Sequence, residues 1–482
     1  MVAIIDLLSQ THDLPTQTIA SANPLYDLAA NDDEQHHTTR LLSECQYDNQ
    51  KFDIVKIKFA PQYSSLYFIR LVQVRKMVID RCNSMNIDER KVKLCNSLLE
   101  IEDNIDCIIF GTVYKNMKLK PSVIDEYTAE NAVAKETVIN KTKLAGRFVS
   151  DDDHVELEDE HARLRLSGDV DIDRLVTGIV LGARGRLLAS GEFYVHELIH
   201  PALIPNPLPS LSADKFILLV SGLHCGNHSI LPHLMADHIT GVIADSQSDH
   251  ALRLVSRVVI CGDSIEMRNE LPEDLGLAAR PKKIGTIAAS QTLPALRCLD
   301  LLLERLCNSM DVDLMPGFMD PTNVALPQQP YNPLFLPRSS RLSSLNLMPN
   351  PAKLSVDGIS LYATSGQNVH DILEYTDSMS EIDIIEATYR WRISCPTCPD
   401  TLHCLPFNDR DPFIIGDSDS LSPSPHVYIA GNQSKFDSRL ITTPEGHTVR
   451  LIAVPRFAES GQTVLLNLRN LDCEIIQYSI GG

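Results

Sequence analysis

The stretch PHVYIAGNQSKF, Pro425 to Phe436, decides how the second half of the chain is read. His426–Ala430 has the composition of a buried strand, and Gly431 ends it before three polar residues, Asn432, Gln433 and Ser434. In an α/β sheet, sites are built on the loops that follow strand C-termini. Yet amide and hydroxyl side chains are weak metal donors and do not titrate near neutral pH. The stretch predicts a strand that delivers its loop to a site position without delivering chemistry.

Working outward, KFILLVSG (Lys215–Gly222) and LVSRVVICGD (Leu254–Asp263) are continuous apolar strands, the pattern of a sheet covered on both faces. Ile284–Met310 reads as helical, with Pro294 requiring a kink or a fresh start. DVDLMPG (Asp311–Gly317) is a strand, KLSVDGISLYATSG (Lys353–Gly366) a hairpin turning at Asp357-Gly358, and EIDIIEATYRWRI (Glu381–Ile393) a helix. From His447 to Ser479 the chain is again β. Alternating strands and helices closed by strands predict an α/β sandwich over residues 213–482.

The first half has another rhythm. Residues 1–45 are polar and without period, and are read as a mobile segment. Residues 46–100 are read as a helical adaptor. Its helix, from about Tyr63 to Met85, carries an apolar stripe of Tyr67, Leu71, Val74, Val78, Cys82 and Met85. Short strands between glycine turns in Ala162–Pro201, preceded by a strand pair in Asp106–Leu119, predict a small OB-type barrel over 101–205. Thr128–Asp153 is read as a polar insertion near 128–153, and acidic DDDHVELEDEH (Asp151–His161) as a solvated loop or face. The Pro-rich run Pro201–Lys215 marks the boundary between the halves.

With 482 residues the chain exceeds one ordinary core, and its net charge of −20 opposes unaided binding to nucleic-acid phosphates. No run approaches the ~18 apolar residues that span a membrane. The opening MVAIIDLLSQTHDLP lacks a basic leader and carries Asp6, so no secretory signal is expected. Twelve scattered cysteines, many in apolar runs, fit buried thiols in a reducing compartment. Cys395, Cys398, His403 and Cys404 crowd one Pro-rich loop. They could begin a zinc knuckle, but structural zinc ordinarily closes with a second pair farther along, and a packed loop is the reading taken.

Five loops follow the predicted strands: VSGLHCG, ICGDSIE, MPGFMDPTN, ATSGQNVHD and IAGNQS. Their order resembles the calcineurin-like metallophosphoesterases, whose active members present D-x-H, G-D, G-N-H-[DE], a lone His and G-H-x-H around two metal ions. Against that pattern Ser221 and Leu223 replace the first pair, with His224 one residue out of register. Gly262 and Asp263 survive. Gly317 and Asp320 survive around Phe318 and Met319, Ser365 stands for the lone His, and Asn432 and Ser434, after Gly431, stand for the last pair. Asp263 alone remains as a metal donor, and one carboxylate cannot hold two divalent ions. Asp263 reads equally as a loop cap, and Gln367 and Asn368 as caps of the helix that follows.

The longer motifs MPGFMDPTNVALPQQP (Met315–Pro330), ATSGQNVHDI (Ala363–Ile372) and CPDTLHCLPFNDRDPFI (Cys398–Ile414) resemble the B-subunit family of replicative DNA polymerases. LPQQP and SGQN point to its delta branch. The resemblance implies an OB-type barrel joined to an inactive phosphodiesterase-like sandwich, with no cofactor and no catalytic residue. It also implies a nuclear accessory subunit in DNA replication and repair synthesis. Its partners would be the cysteine-rich C-terminal module of the catalytic subunit and a third, extended subunit, with the sliding clamp and DNA reached through the holoenzyme. Two other functions are weighed. A phosphoesterase or nuclease with relocated ligands His224, His228 and His233 would need more donors than these supply. A free single-strand binder is disfavoured by the acid balance and an aromatic content of 6%.

Overall fold

The computed structural model describes residues 40, 42–55, 62–85, 92–120, 147–227, 229–242, 249–266, 281–416, 423–442 and 446–479. The described chain enters through a short strand, β1 (Cys45–Tyr47), and a helix of 21 residues, α1 (Ser64–Ser84). Leu71, Val74, Val78 and Cys82 of the expected stripe are buried. The stripe also takes in Leu66, Arg70 and Met77, whereas Met85 is largely outside it.

Next come β2 (Lys93–Leu94), β3 (Cys107–Asn116), β4 (His154–Glu158), β5 (Arg163–Gly168), β6 (Val180–Leu187) and β7 (Phe193–Ile199). They pair in the order β2-β3-β4-β5-β7-β6, and β6 returns to β3, closing the sheet on itself. One expectation is corrected here and another narrowed. Asp106–Leu119 is no strand pair but one strand of ten residues, long enough to be shared by β4 and β6. The acidic segment Asp151–His161 is not a loop throughout, because β4 lies inside it. Val155 and Leu157 point into the barrel core while His154, Glu156 and Glu158 stay partly exposed, an alternation of period two that the charges masked. Residues 128–146 of the expected insertion and all of 1–39 lie outside the described residues.

The second half contains β8 (Phe216–Val220), α2 (Leu231–Thr240), a one-turn helix α3 (Asp249–Arg253), β9 (Val255–Cys261), α4 (Pro281–Cys307), β10 (Asp311–Met315) and β11 (Leu345–Leu347). The hairpin β12 (Ala352–Val356) and β13 (Ile359–Thr364) follows, then α5 (Gln367–Leu373), α6 (Glu381–Trp391), β14 (Val427–Gln433), β15 (Asp437–Thr442), β16 (Thr448–Pro455), α7 (Phe457–Ser460), β17 (Gln462–Asn467) and β18 (Cys473–Gln477). The hairpin turns at Asp357-Gly358, both left-handed with φ of 48° and 83°. α4 runs through Pro294 as one helix, so the fresh start offered as an alternative does not occur.

These strands form two six-stranded sheets, β11-β10-β9-β8-β17-β18 and β1-β12-β13-β14-β16-β15. Burial explains the unbroken apolar runs. In β8, Ile217 and Leu219 face the opposite sheet, while Phe216, Leu218 and Val220 face α2 and α4. In β14, Val427 and Ile429 join the core between the sheets, and Tyr428 and Ala430 join a core that holds α6 and the barrel interior together. A polar pin crosses at the sheet edge: Arg257 Nη1 is 2.9 Å from Asp313 Oδ1, which also accepts from Tyr47 Oη at 2.6 Å. Among the described residues no helix is long and apolar enough to cross a membrane.

Candidate functional site

β8, β9 and β10 run parallel, as do β13 and β14, so the loops that follow them emerge together. They meet at an open cavity of about 560 Å³. His224, Asp263, Phe318, Met319, Ser365 and Asn432 reach it, at least one from each of the five loops.

Pro425–Phe436 behaves differently from its expectation. β14 does not stop at Gly431. It continues to Gln433 past a slip in its pairing with β16, and Asn432 within that slip is left-handed, with φ of 56°. At Gly431 a Cβ would stand 2.2 Å from the Cys261 carbonyl oxygen, so the glycine is required by the close approach of the two sheets. Gly262 serves the same purpose against Ser365, whereas Gly317 makes room for Asp263, which follows the neighbouring strand of its own sheet.

Around Ser221, Ser365 and Asn432, three of the expected positions, neutral side chains lace the loops together. The Asn432 amide N–H donates to Ser221 Oγ at 2.8 Å, and Asn432 Nδ2 donates to the Ser365 carbonyl at 2.9 Å. Ser221 Oγ donates in turn to the Pro455 carbonyl at 3.1 Å. Asn350 Nδ2 donates to Ser365 Oγ at 2.7 Å and lies 2.8 Å from Gln328 Oε1. Gln328 Nε2 donates to the Gly317 carbonyl at 2.9 Å. The glutamine of LPQQP and the serine of SGQN thus belong to one buried network. In a low-dielectric site such a network holds loop ends rigidly only when its members find partners.

The surviving carboxylates are turned to the same purpose. Asp263, left-handed with φ of 53°, accepts from the Met319 N–H at 2.9 Å, and burial pushes its carboxyl up. Asp320 is buried beneath the cavity. It accepts from the N–H groups of Ser264 at 2.9 Å, Ile265 at 3.2 Å and Gly317 at 2.7 Å. Burial, and then Asp263, push the Asp320 carboxyl up to about 7.

Of the expected positions, Ser221, Gly262, Gly317, Asp320 and Gly431 do not themselves line the cavity, and Leu223 and Ser434 stand apart from it altogether. Leu223 is fully buried in the core under α2 and α4, and His224, with φ of 45°, takes the place at the cavity instead. Ser434 is exposed and donates its N–H and Oγ to Glu381, each at 2.9 Å. The residues that line the cavity unforeseen include His370, Glu374 and Arg456. Arg456 Nη2 lies 3.4 Å from His370 Nε2, and burial, followed by Arg456, pushes that imidazole down. His370 was legible in principle, standing three residues after Gln367 on one helix face. Gly366 is the N-cap of α5, and Asn368 Nδ2 donates to the Ser394 carbonyl at 2.6 Å.

The relocated-ligand set is not assembled. His224 lines the cavity, His233 sits on α2 with Nε2 3.6 Å from Cys298 Sγ, and His228 lies outside the described residues. Cys395, Cys398 and Cys404 are buried in the core against Leu71, Val74 and Val78 of α1, while His403 turns to the cavity. Among the described residues no group of three or more His, Cys, Asp or Glu could hold a metal ion.

Comparison with known proteins follows this division of the chain. A family model described as the OB-fold domain of the DNA polymerase delta subunit matches residues 62–198, and one for the B subunit of DNA polymerase alpha/epsilon matches 217–438. The DNA polymerase delta small subunit of Arabidopsis thaliana is 38% identical over 93% of this chain and 98% of its own length. The chain belongs to the DNA polymerase delta small-subunit family. Its namesakes from Oryza sativa subsp. japonica and Saccharomyces cerevisiae are 34% and 29% identical, over 98% and 91% of their lengths. The barrel is therefore an OB-fold, and the α/β plus β class holds.

Proposed function

We propose that this chain is the non-catalytic second subunit of a replicative DNA polymerase, built on an OB-fold joined to an inactive phosphodiesterase-like sandwich. Its role is to grip the cysteine-rich C-terminal module of the catalytic subunit and an extended third subunit, in nuclear replication and repair synthesis. The sliding clamp and DNA are reached through those partners. The observation that carries the reading is the lacing of Ser221, Asn432 and Ser365. Positions that would need ionic donors hold neutral groups already engaged with one another and with main-chain carbonyls. A two-metal hydrolase has to lower the pKa of its attacking water with ions that these groups cannot retain.

Three measurements test it. Purified chain with Mn²⁺ should show no turnover of an aryl phosphodiester or of single-stranded DNA. Activity that disappears on Asp263→Ala would overturn the scaffold reading. Affinity purification of the tagged chain should recover a polymerase catalytic subunit. The isolated metal-loaded C-terminal module, at ~100-fold excess over its Kd, should add roughly 2.7 kcal/mol of stability. Superimposable melts with and without the module, and no co-purification, would remove the assignment's support.

A further inference from the structure

One cluster of reactive side chains stands behind the first loop of the cavity and takes no part in its lacing. Cys225 is 2% exposed in the core beneath α2 and α4, and Cys298 of α4 is partly exposed beside it. Cys298 Sγ lies 3.6 Å from His233 Nε2 on α2, and the Cys225 and Cys298 thiols share a hydrogen bond. The next residue, Gly226, is left-handed and packs so tightly that a Cβ would come within 2.8 Å of Ala295 Cβ, one turn before Cys298. The loop is thereby pinned against α4 with its thiol turned to the second thiol.

We propose that Cys225 and Cys298 form a peroxide-sensitive dithiol, with Cys298 the attacking sulfur and His233 its positioning residue. The Cys298 thiolate attacks one oxygen of a hydroperoxide, the O–O bond breaks, and the alkoxide or hydroxide leaves and takes a proton from solvent. The resulting sulfenic acid is attacked by Cys225. The S–S bond forms, the S–O bond breaks, and hydroxide departs with the Cys225 proton as water. A dithiol reductant reverses the change. Because Cys225 directly follows His224, the disulfide would fix the first loop of the cavity to α4.

The surroundings favour this pair over the other thiols. Burial pushes the partly exposed Cys45 and Cys473 up, the latter to about 12. Cys298 is pulled down to about 5, first by the Cys225 hydrogen bond and then, against burial, by His233 and the Gly226 N–H. Asp320 bears on Cys225, the Glu266 N–H donates to the Cys225 carbonyl, and the Arg305–Asp237 pair spans the same α2–α4 seam.

The test is pulsed alkylation of the fully reduced chain with iodoacetamide from pH 4.5 to 9, read at each cysteine by peptide mass spectrometry. A thiolate near pKa 5 is fully formed at pH 6.5 but less nucleophilic, so Cys298 should react at least about 3–10-fold faster than Cys45 and roughly 100-fold faster than Cys473 there. Its rate should level off above pH 6, and His233→Gln should move that midpoint upward. Hydrogen peroxide should give a Cys225–Cys298 linked peptide, and Cys225→Ser should leave a dimedone-trappable sulfenic acid on Cys298. If Cys298 follows Cys45 and Cys473 across the pH range, or if peroxide yields neither the linked peptide nor the trapped adduct, the proposal is overturned.

Discussion

Replacing Gly431 by alanine would drive a carbon to 2.2 Å from the Cys261 carbonyl oxygen and 3.2 Å from Ser221 Cβ, so one strand must retreat from the other sheet. Overpacking of a filled interior costs about 1–3 kcal/mol. Urea unfolding of Gly431→Ala should show a loss of that size, and an unchanged midpoint would mean that the sheets are not in contact there. That a glycine was needed at this position was legible in the sequence. Its reason was not, because a strand exit and an inter-sheet contact call for the same residue, and only the second sheet distinguishes them. Leu223 and His224 make the same point. Counting along the loop puts Leu223 at the site, but a left-handed His224 reverses which of the two reaches the cavity, and handedness at a histidine leaves no mark in the residue order.

At the scale of elements, the joint worth testing is Arg70 on α1. Its side chain is fully buried. Nε donates to Asp411 Oδ2 at 2.7 Å, and Nη1 to the carbonyls of Pro396 at 2.8 Å, Cys398 at 3.0 Å and Gly178 at 3.3 Å. One guanidinium therefore binds helix, cysteine-rich loop and barrel. Arg70→Met leaves the Asp411 carboxylate sealed without its counter-charge and should cost roughly 3–5 kcal/mol. Arg70→Met with Asp411→Leu should recover part of that, and equal unfolding midpoints for the single and double variants would contradict the account. Helical spacing identified α1 but could not place an arginine on its inner face, since burial of a cation depends on a partner 341 residues away. Strand β4 was hidden for the opposite reason. Its apolar–polar alternation was present, but three consecutive aspartates before it weighted the segment towards solvent.

The whole molecule is held by a core that the barrel and α6 share, and this seam carries a pH response. His200, at the end of β7, is pushed down to about 4, first by burial and then by Arg390 of α6, and its Nδ1 is buried without a partner. A histidine lowered in the fold contributes stability that is complete above its unfolded value, near 6.5, and is lost as pH falls towards 4. Between pH 7.5 and pH 5 the loss from this one group should be about 2 kcal/mol. His200→Gln should remove that share of the acid sensitivity. Parallel urea midpoints for the two proteins at both pH values would show that His200 does not titrate in the seam. The alternating strands and helices of the sandwich were readable because each is an element of ordinary length. The shared core was not, because the Pro-rich run between the halves looks like a tether. It is instead packed: the Ala202 N–H donates to the Met77 carbonyl, and its carbonyl accepts from Arg392.

The edge strand β1 also sets an order in time. Cys45–Tyr47 pairs with β12, and the Glu44 N–H reaches Asp357 Oδ1 across 313 residues of chain. On a ribosome adding ~5–20 residues per second, the first strand waits roughly 15–60 s for its neighbour to be made. α1 and every barrel strand are synthesised within that interval. The nascent chain therefore carries an unpaired β segment throughout the synthesis of the barrel, and β1 can dock only once β12 has been made.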